Sequence, residues 1–240
     1  MTAETAFNKY TEPYRQYGEK IYLKIDHSLR VRDLCLDLSG SEGLTGEDAE
    51  LSAACGLLHD IGRFEQWKRY GTYNDMRSTD HGDLGAEILA QDELFHSLSG
   101  SDAGTIINAA RYHNKFTVPG TLSNRDRMFV NITRDADKID ILYSFVSRKL
   151  VNQTKNSTMS DTVYQSLLSK KAIRKDDIKT KADEIAVRLA FMFDLNFDRS
   201  FEIVKENDYI NRLIDVQISE TSDSDLIGKL DRLRSFFSSI

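Results

Sequence analysis

The sequence predicts an all-α fold, and three observations carry that reading. Apolar residues recur at three- and four-residue spacing along most of the chain, and no stretch shows the period-2 alternation of a half-buried strand. Only two prolines, Pro13 and Pro119, stand in 240 residues, so few breakers interrupt long helices. Hydrophobic residues make up 40% and charged ones 29%, a balance that can fill a core and still keep a wet surface. At this length the chain makes one large domain or a core with an appended subdomain.

The helices follow in order. Ile21, Ile25, Leu29, Leu34 and Leu38 mark the first, over about 19–38. Thr45-Gly46-Glu47-Asp48 offers a capping-box-like start to a second, with Leu51, Ala54, Cys55 and Leu58 on one face. It runs into "LLHDIGR" at 57–63, where Gly62 is the expected terminator. Phe64–Asp80 is polar and aromatic and reads as a loop. Ser78 or Thr79 can cap a third helix with Leu84, Ile88 and Leu89, and Ser101 a fourth with Ile106, Ile107 and Ala110. A fifth is expected from about Arg125 to Leu150, with Phe129, Ile132, Ala136, Ile139 and Tyr143 inward. The polar stretch Asn152–Ser160 reads as a loop or subdomain boundary. Helices are expected beyond it at Val163–Leu168, Ala182–Phe193, Asp198–Asn207 and Tyr209–Ile218, with a last one holding Leu226, Leu230, Leu233 and Phe237. This divides the chain into a helical domain at 1–150 and an extension at 151–240 expected to pack on it.

Composition narrows the function classes. A net charge of −6 argues against binding a nucleic-acid polymer, which needs a cationic footprint. A small phosphorylated ligand stays compatible, because a local cationic pocket suffices. Cys35 and Cys55 fall on apolar helix faces and read as small core residues in a reducing compartment. The opening "MTAETAFNKYTEPYR" lacks a signal-peptide layout, and no apolar run approaches a membrane span. A cytoplasmic location is expected.

The chemistry lies in the histidines. His27 sits in "KIDHSLRVRDL", His59 beside Asp60 in "LLHDIGR", His81 in "STDHGDLGAEIL" and His113 in "AARYHNKF". Each stands where one helix can aim one imidazole into a shared space. His96, in "ELFHSLSGSD", is given no role. Asp135, Asp137 and Asp140 come from "TRDADKIDIL". Asp135 and Asp137 point about 200° apart on a helix, so only one of the two can face a given site. Neutral imidazoles with carboxylates suit Mn²⁺, Fe²⁺, Co²⁺, Ni²⁺ or Zn²⁺. Taken singly, "HD" is an ordinary helix end and each histidine an ordinary hydrogen-bonded residue; the set is what points to a metal.

The order His27, His59-Asp60, Asp137 resembles the H…HD…D pattern of the HD superfamily of metal-dependent phosphohydrolases, carried locally by "HSLRV", "LLHDIGR" and "DADKID" over about 20–145. The wider layout through "STDHGDLGAEIL" looks like bacterial members of that superfamily. The resemblance implies an HD-domain-like helical bundle, with a C-terminal helical extension, in which His27, His59, Asp60 and Asp137 ligate the first metal. It favours Asp137 over Asp135, leaving Asp135 and Asp140 as surface or supporting residues. In two-metal members, histidines placed like His81 and His113 ligate a second ion and a carboxylate such as Asp60 bridges. This chain departs from many of them in having Asn114, not histidine, after His113. The cofactor implied is one or two divalent ions.

The expected reaction is cleavage of a phosphomonoester or phosphodiester of a small, nucleotide-like substrate by metal-activated water. Arg63, Arg111, Lys115 or Lys138 would hold phosphate oxygens, with Arg63 the first choice because it follows the metal pair. Asp60, Arg63, His81, His113 and Lys138 form the catalytic set; His81 or His113, if not ligating, would protonate the leaving group. Phe64, Trp67, Tyr70 and Tyr73 either stack a base or cover the core. Two other functions compete: a diiron oxygenase of HD type, which uses the same four histidines and two aspartates, and a non-catalytic ligand-binding module. The Gly-Tyr-Pro element of cyclic-dinucleotide phosphodiesterases is missing, "RYGTYND" being only superficially similar.

Overall fold

The computed structural model describes residues 1–96, 98, 102–147 and 157–239, and these hold helices and no strand. The chain divides into two compact units, Met1–Asp137 and Lys138–Ile240.

The first unit opens with α1 (Ala3–Thr11), capped by the Thr2 hydroxyl accepting from the Thr5 amide, and with a 3₁₀ turn over Glu12–Tyr17. Then come α2 (Glu19–Ser41), α3 (Glu47–Leu58), α4 (Gly62–Tyr70), α5 (His81–Gln91), the short α6 (Glu93–His96), α7 (Ala103–Tyr112) and α8 (Asn124–Ser147), which continues past Asp137 into the second unit. The α2–α3 pair is central; α7 lies against α3 and α5, and α4 against α5. Phe7 of α1 meets Phe64 of α4 edge-on at 5.9 Å between ring centroids. Both rings are fully buried with Ile21, Leu58 and Ile61, and each such side chain contributes about 2–3 kcal/mol of hydrophobic stabilisation. Cys35 and Cys55 are buried free thiols, as core residues should be. The Arg134 guanidinium of α8 donates to the carbonyls of Tyr112 at 3.0 Å and Lys115 at 2.5 Å, which fastens α8 to the end of α7.

The second unit contains α9 (Asp161–Leu168), α10 (Lys181–Ala190), α11 (Asp198–Glu206), α12 (Tyr209–Glu220) and α13 (Ser224–Phe237). Thr180 and Asp183 form a reciprocal capping box on α10, and the buried Asp183 carboxylate also accepts the Ser160 amide at 2.8 Å. Val163, Leu167, Ile185, Leu189, Leu226, Leu230 and Leu233 are buried.

Several local expectations are corrected. Phe64–Tyr70 is helix, not loop: Phe64 and Trp67 are spaced for one helical face that the charged residues between them disguise. Gly62 opens α4 and does not terminate α3. Gly46 caps α3 with no side-chain bond, so the Thr45 capping box does not form. Asp80, not Ser78 or Thr79, caps α5, accepting from the Gly82 and Asp83 amides. Tyr143 is exposed, not inward. The expected cap Ser101 and the end of the fifth helix at Leu150 lie outside the described residues, as does most of the Asn152–Ser160 boundary.

Candidate metal centre

The join between α3 and α4 sets out the centre. His59 and Ile61 keep right-handed helical dihedrals, but the bonds tighten to 3₁₀ type, Ile61 N–H to the Leu58 carbonyl at 3.1 Å and Arg63 N–H to Asp60 at 2.9 Å. The chain turns there without extending, so neighbouring His59 and Asp60 both end up inside. Two glycines allow the approach. A Cβ on Gly56 would lie 2.6 Å from Cys35 Sγ and 2.9 Å from the Val31 carbonyl of α2; one on Gly62 would lie 2.3 Å from the His81 carbonyl and 2.6 Å from the Gly85 nitrogen of α5. Bare backbone at these positions lets α2 and α5 bring His27 and His81 up to the turn.

His27, His59, Asp60, His81 and His113 are all buried. His27 Nε2 lies 3.2 Å from His59 Nε2, 3.2 Å from Asp137 Oδ1 and 3.5 Å from Asp60 Oδ2. His81 Nε2 lies 3.0 Å from His113 Nε2 and 3.4 Å from Asp60 Oδ1, the oxygen that His113 Nε2 approaches at 3.6 Å. Asp60 therefore turns one oxygen to each pair of imidazoles. His27, His59 and Asp137 form one group able to hold a metal ion, and His59, Asp60 and His113 another.

The tautomers follow from the outer nitrogens. His59 Nδ1 lies 2.6 Å from the Gly56 carbonyl and His113 Nδ1 2.8 Å from that of Ala110. A carbonyl can only accept, so both Nδ1 atoms carry the proton and both Nε2 atoms present lone pairs. His81 Nδ1 lies 2.9 Å from Asp75 Oδ2. Burial would raise the Asp75 carboxyl, but His81, Arg63 and Gln66 hold it down to about 2, so it is ionised and His81 Nε2 is bare as well. Lone pairs at 3.0 Å repel unless something positive lies between them. Asp60 Oδ1 is buried with no hydrogen-bond partner, an orphan whose desolvation a cation would offset. The donor set fits a divalent ion.

Electrostatics agree. Burial, followed by the Arg63 guanidinium, pulls His81 down to about 3, and burial lowers His59 too. Burial works against ionisation of Asp60, yet the Lys24 ammonium holds it well below the usual carboxylate range; the hydrogen bond from His27 does the same for Asp137. Neutral imidazoles and ionised carboxylates are the ligating forms.

The remaining expected residues are placed as follows. Arg63 donates through Nη1 to the Tyr73 carbonyl at 2.6 Å, Gln66 at 2.8 Å and Asp75 at 3.0 Å, with Nε 3.5 Å from Asp60 Oδ1. It braces the loop that carries Asp75. Lys115 pairs with Asp80 and Asp83, both at 2.8 Å, and the half-buried Arg111 stands 4.0 Å from Asp83. Lys138, in the second unit, bonds the Asp194 carbonyl and carboxylate at 3.0 Å. Asp135 and Asp140 are buried, not surface residues. Asn114 donates to Asp80 at 3.0 Å and so ties the end of α7 to the start of α5. Phe64 belongs to the core, and Trp67 packs on Tyr73 at 4.8 Å.

Two neighbours of the centre escaped the sequence reading. Lys24 Nζ lies 2.5 Å from Asp60 Oδ2; its signal is a position one helical turn before His27. Asp75 opens a single 3₁₀ turn, Asp75–Arg77, too short to show a periodic signal.

The family model described as HD domain matches residues 25–142, a stretch that contains all six of these histidine and aspartate ligand candidates. Neither the curated proteins nor the solved structures gave a match.

Proposed function

Because the chain is an HD-superfamily protein, with its HD domain over residues 25–142, we propose that it is a metal-dependent phosphohydrolase acting on a small phosphorylated, nucleotide-like substrate. The observation that carries this reading is the division of Asp60, Oδ2 toward His27 and His59, Oδ1 toward His81 and His113, with Asp137 on the same His27 and His59 nitrogens. Those six residues would hold one or two ions of the Mn²⁺, Fe²⁺, Co²⁺, Ni²⁺ or Zn²⁺ type. When bound, such ions supply an activated water and neutralise charge developing on phosphorus.

The chain's own residues do the rest. Gly56, Ala110 and Asp75 fix the outer nitrogens of three imidazoles, so each presents a lone pair to the centre. With its proton on Nδ1 and its basicity depressed to about 3, His81 serves as a ligand in this reading, not as the leaving-group acid. Arg63 is a positioning residue that aligns Asp75 behind His81. The Trp67 and Tyr73 rings, tilted 39° to each other, are the aromatic groups against which a base would stack.

The test is metal analysis of the purified chain, followed by a nucleotide and phosphoester panel with Mn²⁺, Co²⁺ or Fe²⁺. Phosphate release that Asp60→Ala abolishes supports the reading; unchanged hydrolysis in that variant overturns it. An O₂-dependent product without phosphate release would assign the same six residues to oxygen activation.

A further inference from the structure

Four cations stand beside the centre or next to it in sequence, and three keep carboxylate partners outside it. Arg63 holds Asp75 at 3.0 Å and comes within 3.5 Å of Asp60 on its other oxygen, Oδ1, while Lys115 holds Asp80 and Asp83 and Lys138 holds Asp194. Lys24 differs. Its ammonium lies 2.5 Å from Asp60 Oδ2, an oxygen also 3.5 Å from His27 Nε2 and 3.7 Å from His59 Nε2. The partner of Lys24 is therefore a member of the proposed metal cluster itself.

A divalent ion taken up by that oxygen competes with the ammonium for the same lone pairs, and two cations at one carboxylate oxygen repel. The lysine can yield. Its side chain is 22% exposed against 3% for Asp60, and four methylenes let the head group move outward without moving α2. The Tyr73 ring, 5.8 Å from Nζ, offers a π face beside that path. A lysine parted from its carboxylate leaves one unneutralised positive charge beside the centre.

We propose that Lys24 is a displaceable internal cation that neutralises Asp60 until a divalent ion takes its place, and then binds the phosphate group of the substrate. This rests on the metal-dependent reading above and adds an order to it: metal first, anion second. No bond is made or broken; one ion pair is exchanged for another.

Calorimetry on the full chain, stripped with chelator, tests this with Mn²⁺ and inorganic phosphate as probes. Wild type is expected to bind phosphate only after Mn²⁺. Lys24→Met is expected to bind Mn²⁺ about tenfold more tightly, having lost the competitor, and to bind phosphate on the loaded chain about tenfold more weakly. Lys24→Gln should do the same, and unfolding curves check that both variants fold. Unchanged Mn²⁺ affinity, unchanged phosphate affinity, or phosphate binding by the stripped wild type as tight as by the loaded chain would each overturn the proposal. Failure of wild type to bind Mn²⁺ would overturn the metal reading and this inference with it, an outcome distinct from a null effect of the lysine variants.

Discussion

Asp75 Oδ2 accepts the Nδ1 proton of His81 at 2.9 Å, while Oδ1 of the same carboxylate takes Arg63 Nη1 at 3.0 Å. One loop residue thus fixes both the tautomer of an imidazole and the arginine beside it. Asp75→Asn is expected to weaken metal binding on the His81–His113 side by about 10–100-fold, the usual effect of removing a ligand's supporting carboxylate. Binding on the His27–Asp137 side should change far less. A metal titration with two resolved phases checks this, and equal loss in both phases would contradict it.

Arg63→Lys is expected to behave as a loss, not as a conservative change. A lysine has a single nitrogen and cannot face Asp60 Oδ1, as Arg63 Nε does at 3.5 Å, while also serving the Tyr73 carbonyl, Gln66 and Asp75, as Nη1 does. The predicted cost is about 1–3 kcal/mol of stability, from buried acceptors left unpaired, read from denaturant unfolding. Retention of wild-type stability would show that the loop does not depend on the guanidinium.

Gly62→Ala should be among the most damaging single-methyl additions to the chain. The new Cβ meets backbone atoms of α5 at 2.3 and 2.6 Å, and backbone cannot rotate out of the way as a side chain can. A loss of about 3 kcal/mol is expected. A wild-type melting temperature in this variant would refute the close approach.

The stripped protein should lose stability in acid earlier than carboxylates alone would cause. His81 is depressed to about 3 and His59 is also lowered, so the unfolded chain takes up their protons first. The stabilisation they carry is full above about pH 6.5, the unfolded value, and drains away as pH falls toward 3. Asp75, held at about 2, adds a further loss below about pH 4. Each depressed histidine contributes a slope of about 1.4 kcal/mol per pH unit in its window. Unfolding free energy measured from pH 8 to 4 should fall with pH, and the slope should lessen in His81→Gln.

Saturating Mn²⁺ should raise the melting temperature, since the ion binds the assembled cluster and not the unfolded chain. At a hundred times its dissociation constant the gain is about 2.7 kcal/mol. His59→Gln should remove most of that gain.

Most helices and the ligand candidates were legible because both rest on local signals, helical spacing in one case and a distinctive order of histidines and aspartates in the other. What the sequence concealed was tertiary. Gly62 resembles a helix terminator in one dimension, whereas its role is to admit the backbone of α5. Lys24 and Asp75 are ordinary surface types until folding sets them against Asp60 and His81. Asp80 displaced Ser78 and Thr79 as the cap because it alone reaches two amides of the first turn of α5.

The placement of Asp60 also carries a thermodynamic consequence. A single carboxylate that gives one oxygen to each side cannot serve the two sides independently: charge drawn toward one ion is withdrawn from the other. Ions on the two sides would be coupled negatively through Asp60, and the coupling is reciprocal, so whichever ion loads first weakens the second by the same factor that the second would weaken it.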